Sequence, residues 1–169
     1  MPTVPTLARS YEALRPRVLD RLLELRGTLD PSLGRLDDAT ARAQIGAVLD
    51  HLGNFIATGD LGMHRAFLHT FLAMRAAEAQ SPASVLAMLV AIGDTAAQVA
   101  QETGGEPDGR DGRDVRDGRD GRDGRELALL LTRVTASTAR VVNDLIAEEL
   151  ARRGAQREEL ARRAREGAR

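Results

Sequence analysis

The sequence predicts an all-α protein, an up-down helical bundle of about five main helices, and three observations predict it. The apolar residues are mostly Ala, Leu and Val, and Tyr11, Phe55, Phe67 and Phe71 are the whole aromatic set. Helix formers therefore abound while strand-favouring residues are sparse. Apolar positions recur at spacings of four and three in one segment after another, the period of an amphipathic helix. Helix-starting and helix-ending residues stand at the borders of those segments.

The first helix is expected from about Thr6 to Thr28, after a loose lead-in over residues 1–5 that holds two prolines. Leu7, Tyr11, Leu14, Val18, Leu22, Leu25 and Leu29 carry its stripe. Pro16 lies inside it, and an internal proline removes one hydrogen bond and clashes with the preceding turn. A short first piece followed by the main helix is the expected arrangement. Asp30-Pro31-Ser32-Leu33-Gly34 is turn chemistry. Asp37 or Asp38 then caps a helix whose buried face is Ile45, Val48, Leu49, Leu52, Phe55 and Ile56. Gly46 and Gly53 lie on it, and each costs helix stability unless another helix approaches closely there. Thr58-Gly59 ends it.

Gly59 to Glu102 reads as the pair of helices around which the rest is organised. Asp60 caps the first, with Leu61, Leu68, Phe71 and Leu72 on one face and Phe67 and Met74 at its margin. Ser81-Pro82 starts the second, since proline at the first helical position loses only an N–H that has no partner there. Val85, Leu89, Ile92, Ala96 and Val99 form its stripe. So short a connection makes the two antiparallel neighbours.

Residues 103–125 are read as a low-complexity loop inserted in the domain. Gly104-Gly105-Glu106-Pro107 breaks the helix, and Asp108 to Arg125 is six triplets, DGR DGR DVR DGR DGR DGR. Such sequence has no apolar face with which to offset its ordering entropy. An Asp at every third position invites comparison with calcium repeats, but the Arg of each triplet neutralises it, and calcium sites need an excess of oxygen ligands. Glu126 opens the last helix. Its seam is Leu127, Leu131, Val134, Thr138, Val141 and Leu145, with Leu130 and Val142 beside it. Residues 151–169 form a charged C-terminal helical extension in which Leu160 is the one large apolar residue.

Composition excludes several classes of function. At 169 residues, one domain over 1–169 is expected. A net charge of −1 gives no electrostatic case for nucleic acid. Cysteine is absent, which excludes disulfides, thiolate catalysis and cysteine-based zinc sites. The N-terminus lacks a signal pattern, and the longest near-apolar run, Val85 to Ile92, is short of the ~20 residues of a membrane span. No membrane association and a cytoplasmic location are therefore expected.

His51, His64 and His69 are the only histidines. Asp60, His64 and His69 lie near one another on one helix, yet neither a zinc HExxH nor the Glu-x-x-His of a di-iron bundle is present. They are read as ordinary surface or partly buried side chains, with no metal and no other cofactor. No nucleophile–base–acid order and no glycine-rich phosphate loop appears, so no enzyme is expected. The basic C-terminal segment lacks interleaved aromatics and reads as a solvated helix end.

Three stretches carry a family resemblance: Thr58-Gly59-Asp60 at a helix end, Arg75-Ala76-Ala77-Glu78 at the next, and Ser81 to Asp94, SPASVLAMLVAIGD. In these the chain resembles the N-terminal domains of RsbR-type stressosome proteins, the RsbT co-antagonist family. The resemblance implies a globin-like helical fold without haem, dimerisation, and a role in sensing or protein interaction. The family's C-terminal STAS domain, with its phosphorylated residues, is expected to be lacking, because no stretch of this sequence reads as one, so phospho-switching is not transferred. The expected function is a non-catalytic regulatory or sensory protein-interaction domain of a bacterial signalling system, with a protein partner of unknown identity. A structural scaffold subunit and a small ligand-binding bundle or enzyme are the alternatives. A homodimer is expected, with Val134, Val141 and Leu145 as its interface, because the apolar stripe of the last helix exceeds what one neighbour would cover.

Overall fold

The computed structural model describes residues 4–105 and 117–167. Those residues are 93% helical and contain no strand, which makes the protein an all-α bundle. Its helices are α1 (Val4–Leu29), α2 (Pro31–Gly34), α3 (Asp38–Thr58), α4 (Leu61–Ala77), α5 (Pro82–Gly105) and α6 (Asp117–Gly167).

Local chemistry explains most helix ends. Asp30, Asp37 and Asp60 accept from Ser32 N, Thr40 N and Met63 N at the starts of α2, α3 and α4. Ser81 Oγ accepts from Ser84 N at the start of α5, with Pro82 at its first position. Gly59 closes α3 in the left-handed region, φ 65°, its N–H bonded to Phe55 O. The end of α4 has the same geometry without glycine. Ala79 takes φ 60°, with Gln80 N bonded to Arg75 O and Ala79 N to Ala76 O. That paired closure satisfies two end carbonyls of the helix.

Pro16 does not divide α1, which runs unbroken. Tyr11 and Leu14 before it and Val18 and Leu22 after it are buried in one core, and that packing sustains the helix on both sides of the proline. Gly53 meets the expectation of close approach. A Cβ there would stand 2.9 Å from the Tyr11 ring, and Tyr11 itself donates to Leu49 O at 2.8 Å. At Gly46 a Cβ would find only ordinary contact, 3.7 Å from Arg15.

The α4–α5 pair is not the organising element. The most extensive contact is α5 with α6, then α1 with α3, while α4 rests on α3, α5 and α6 with the thinnest contacts. At the α5–α6 crossing a Cβ on Gly93 would lie 2.0 Å from Thr135 Oγ1, so glycine is what lets these helices close. Phe71 is only half-buried and Leu61 is exposed, because α4 turns just Leu68, His64 and Arg75 fully inward.

Pro82–Thr103 of α5 is long and apolar enough to cross a membrane by length and composition. The uninterrupted run read from sequence is shorter because Asp94 breaks it, and a helix tolerates one such residue. In the bundle the same helix supplies Val85, Met88, Leu89, Ile92, Ala96 and Val99 to the core.

The inserted tract differs from the expected loop at both borders. Thr103 to Gly105 continue α5, and Asp117 to Arg125 form the first turns of α6; the remainder, 106–116, lies outside the described residues. Once Glu126 onward is helical, adding turns at its N-terminus needs no new nucleus, and Arg122 pairs with Glu126 one turn on. At the other end α6 continues through Gly154 to Gly167, well past the bundle.

Candidate functional site

Among the described residues, five of the seven aromatic and imidazole side chains gather in one place, between α3, α4 and α6. His51 and Phe55 come from α3, and His64, Phe67 and Phe71 from α4. Gly59 and Asp60 turn the chain between these helices, so residues 13 apart in sequence meet. His51 Nε2 lies 2.9 Å from His64 Nδ1. The rings are within 6° of parallel, with centroids 5.2 Å apart. A nitrogen contact this short at that centroid distance means edges meeting, not faces, so the pair is joined by an in-plane hydrogen bond. The faces are taken by phenyl rings. Phe67 stacks on His51 at 3.8 Å, and Phe55 stacks on His64 at 4.1 Å. Phe71 follows Phe67 at 5.7 Å, and the Arg75 guanidinium sits 5.2 Å from the Phe71 centroid.

His64 is occupied on both ring nitrogens, because its Nε2 is 3.0 Å from Thr138 Oγ1 on α6. One proton arrangement runs from His51 through His64 to the Thr138 oxygen, and the other runs from the Thr138 hydroxyl back to His51. Burial, together with the neighbouring His51, lowers the His64 pKa from 6.5 to about 4, and burial lowers that of His51 as well. At neutral pH both rings are uncharged. A cavity of about 30 Å³ adjoins the pair, lined also by Val48, Ile92, Gly93 and Thr135. It has room for a water or two, far less than the ~300–1,000 Å³ of a small-molecule site.

A second polar cluster joins the ends of the helices. Buried Arg75 donates to Glu78 at 2.7 Å and to Gln44 at 3.2 Å. Gln80 donates to Asp30 at 2.9 Å and to Ser32 Oγ at 2.5 Å. Burial pushes the Asp30 carboxyl up, but hydrogen bonds from Ser32 and Gln80 and the charge of Arg75 outweigh it and hold the group low. This cluster fixes the turns around α2 and before α5.

The three residues expected at a dimer seam all pack within the chain. Val134 and Leu145 are buried in the chain's own core, and Val141 packs against it half-buried. The bundle itself covers most of the stripe of α6. Nor do Asp60, His64 and His69 come together. Asp60 caps α4, His64 is buried and His69 is exposed. No group of three side chains suited to a metal occurs among the described residues. The reading of the sequence missed the joining of His51 to His64. A signal was present: His51 lies three after Val48 and four before Phe55, and His64 lies four before Leu68, so both are on apolar faces.

Comparison of the chain with protein-family models, curated proteins and solved structures finds no match.

Proposed function

We propose that this chain is a non-catalytic regulatory domain acting through contact with another protein, of the RsbR-like signalling kind. The observation that carries the reading is the bonding of His64 on both nitrogens, to His51 of α3 and to Thr138 of α6. This buried link joins three helices, one of which, α6, leaves the bundle as an arm. A change at the link is passed to the element that extends outward. The same occupancy leaves His64 no free lone pair for a substrate, and the adjoining cavity is too small to admit one. The sequence resemblance in Thr58-Gly59-Asp60 and Ser81 to Asp94 supports the signalling context.

Hydrogen exchange on wild type and on Thr138→Val tests this. The substitution keeps the side-chain shape and removes the hydroxyl. Faster exchange is expected in α4 and in α6 beyond Thr138, with α1 unchanged. If the change stays within one turn of residue 138, the link transmits nothing and the reading fails.

A further inference from the structure

The cavity beside the His51–His64 pair is small, and its walls decide what it can hold. It lies where α3, α4, α5 and α6 come together. Val48, Leu52, Leu68, Leu89, Ile92 and Val134 make its surface mostly apolar. The polar atoms beside it are already engaged. His51 Nε2 and His64 Nδ1 bond to each other, and His64 Nε2 bonds to Thr138 Oγ1. The Thr135 hydroxyl donates to Leu131 O at 2.9 Å. What remains on the inner walls is spare acceptor capacity on the two threonine oxygens. A buried water typically makes about three hydrogen bonds, so the cavity has the room for a water but not the partners.

An empty void has a cost of its own, because the atoms that line it lose dispersion contacts on that side. An apolar guest restores those contacts and asks for no hydrogen bond. Size then sets the class of guest. The cavity measures about 30 Å³, close to the ~30 Å³ that one water takes up in the liquid and far below the ~150 Å³ that admits a benzene ring. A diatomic molecule fits and a hydrocarbon ring does not. The cavity is also within reach of solvent. His51, Leu52 and Phe67 form its outer wall and are each only half-buried. Rotation of side chains this near the surface takes picoseconds to nanoseconds, so entry needs no unfolding.

We infer that this cavity is a dry binding site for an apolar diatomic gas such as dioxygen. Dispersion holds the gas in place. No ring nitrogen is called on, and nothing is oxidised or reduced. The inference stands apart from the regulatory reading of the His51–His64–Thr138 link, because a guest can occupy the cavity whether or not the link transmits anything.

The test is NMR of the full chain, methyl-labelled at its four isoleucines, Ile45, Ile56, Ile92 and Ile146. Spectra are compared under pressurised oxygen and, as the diamagnetic control, under nitrogen at the same pressure. Dioxygen is paramagnetic and speeds the relaxation of protons it touches. Ile92 lines the cavity, whereas Ile45 does not, and the two are equally shielded from bulk gas at 2% and 1% exposed. Oxygen should speed relaxation of the Ile92 methyl severalfold more than that of Ile45. Val48→Leu and Val134→Leu each extend a wall residue by one carbon at the expense of the space. Whichever stays folded by circular dichroism should bring Ile92 down to the level of Ile45. Equal oxygen effects at Ile92 and Ile45 in wild type overturn the inference. So does a cross-peak between the Ile92 methyl and a long-lived water, which would make the cavity hydrated. A folded filling variant in which Ile92 keeps its full response would put the gas elsewhere and overturn it as well.

Discussion

Helix α6 is one continuous element held in two different ways. From Leu127 to Leu145 it is sustained by tertiary packing. Leu127, Leu131, Val134, Val142 and Leu145 are buried, and Thr135 and Thr138 reach Gly93 and His64. From Leu150 to Glu166 nearly every residue is exposed, and Leu150 and Leu160 are each 64% exposed. Here the helix is laced by its own charges. Glu149 pairs with Arg152 and Arg153, and Glu159 pairs with Arg162 and Arg163. The sequence repeats to do so: EELARR occurs at 148–153 and again at 158–163. The two halves teach that the same backbone geometry can rest on burial or on local pairing, and each support has its own sensitivities.

The largest difference should appear on removing a leucine. Leu131 is fully buried, so Leu131→Ala is expected to cost about 2–5 kcal/mol through lost transfer energy and a residual cavity. Leu160→Ala should stay within about 0.5 kcal/mol of wild type, as for an ordinary surface change. Urea unfolding of the two variants checks both, and equal effects would erase the distinction.

Acid should act on the two halves in different pH windows. His64 has a lower pKa folded, about 4, than its ordinary 6.5. The unfolded chain therefore binds the extra proton first. The stabilising effect of a neutral His64 is complete above pH ~6.5 and is lost as pH falls towards 4, amounting to about 3 kcal/mol in full. The outer half should keep its pairing through most of that window, down to the ordinary glutamate value of 4.5. Hydrogen bonds from Arg153 and Arg152 hold Glu149 below the usual glutamate range, and those from Arg162 and Arg163 do the same for Glu159. A carboxylate whose folded pKa is lowered contributes in full above its ordinary value and loses that contribution as pH falls from there through the folded one. Stability measured from pH 7.5 to 4 should show a clearly steeper slope in wild type than in His64→Leu, where only His51 of the pair remains. An unchanged slope would place the acid-sensitive group elsewhere.

One substitution should have opposite signs in the two environments. Gly93→Ala adds a methyl where Thr135 Oγ1 would be 2.0 Å away, so the overpacking should exceed the gain in helix propensity and cost about 1–3 kcal/mol. Adding Thr135→Ala should recover part of the loss. Gly154→Ala meets no atom within 4 Å, so only propensity operates. Hydrogen exchange over residues 150–160 should slow severalfold while the unfolding midpoint stays fixed. A shift in the midpoint would mean that the outer half is coupled to the bundle.

The smallest effect concerns salt. Exposed Glu–Arg pairs are screened by ions, whereas burial is not. Raising NaCl to about 1 M should speed exchange in residues 150–166 and leave residues 127–145 as they are.

Much of the architecture was legible in the chain because local rules and tertiary demands agree along most of it. The stripe Val85, Leu89, Ile92, Ala96 and Val99 is buried throughout, and Asp37, Asp60 and Ser81 cap the helices they precede. Capping depends on a few neighbouring atoms and periodicity on one helix, so sequence determines both. What tertiary structure decided is which face meets which. The apolar stripe of α6 looked too wide for one neighbour, but α5, α1 and α4 together cover most of it, and periodicity does not count neighbours. The His51–His64 link was hidden for a related reason. Each histidine sits on an apolar face, but their meeting depends on the distance and rotation between α3 and α4. Those are fixed by Gly59 in its left-handed conformation and by the packing of Phe55 and Phe67, on which no single helix carries the information.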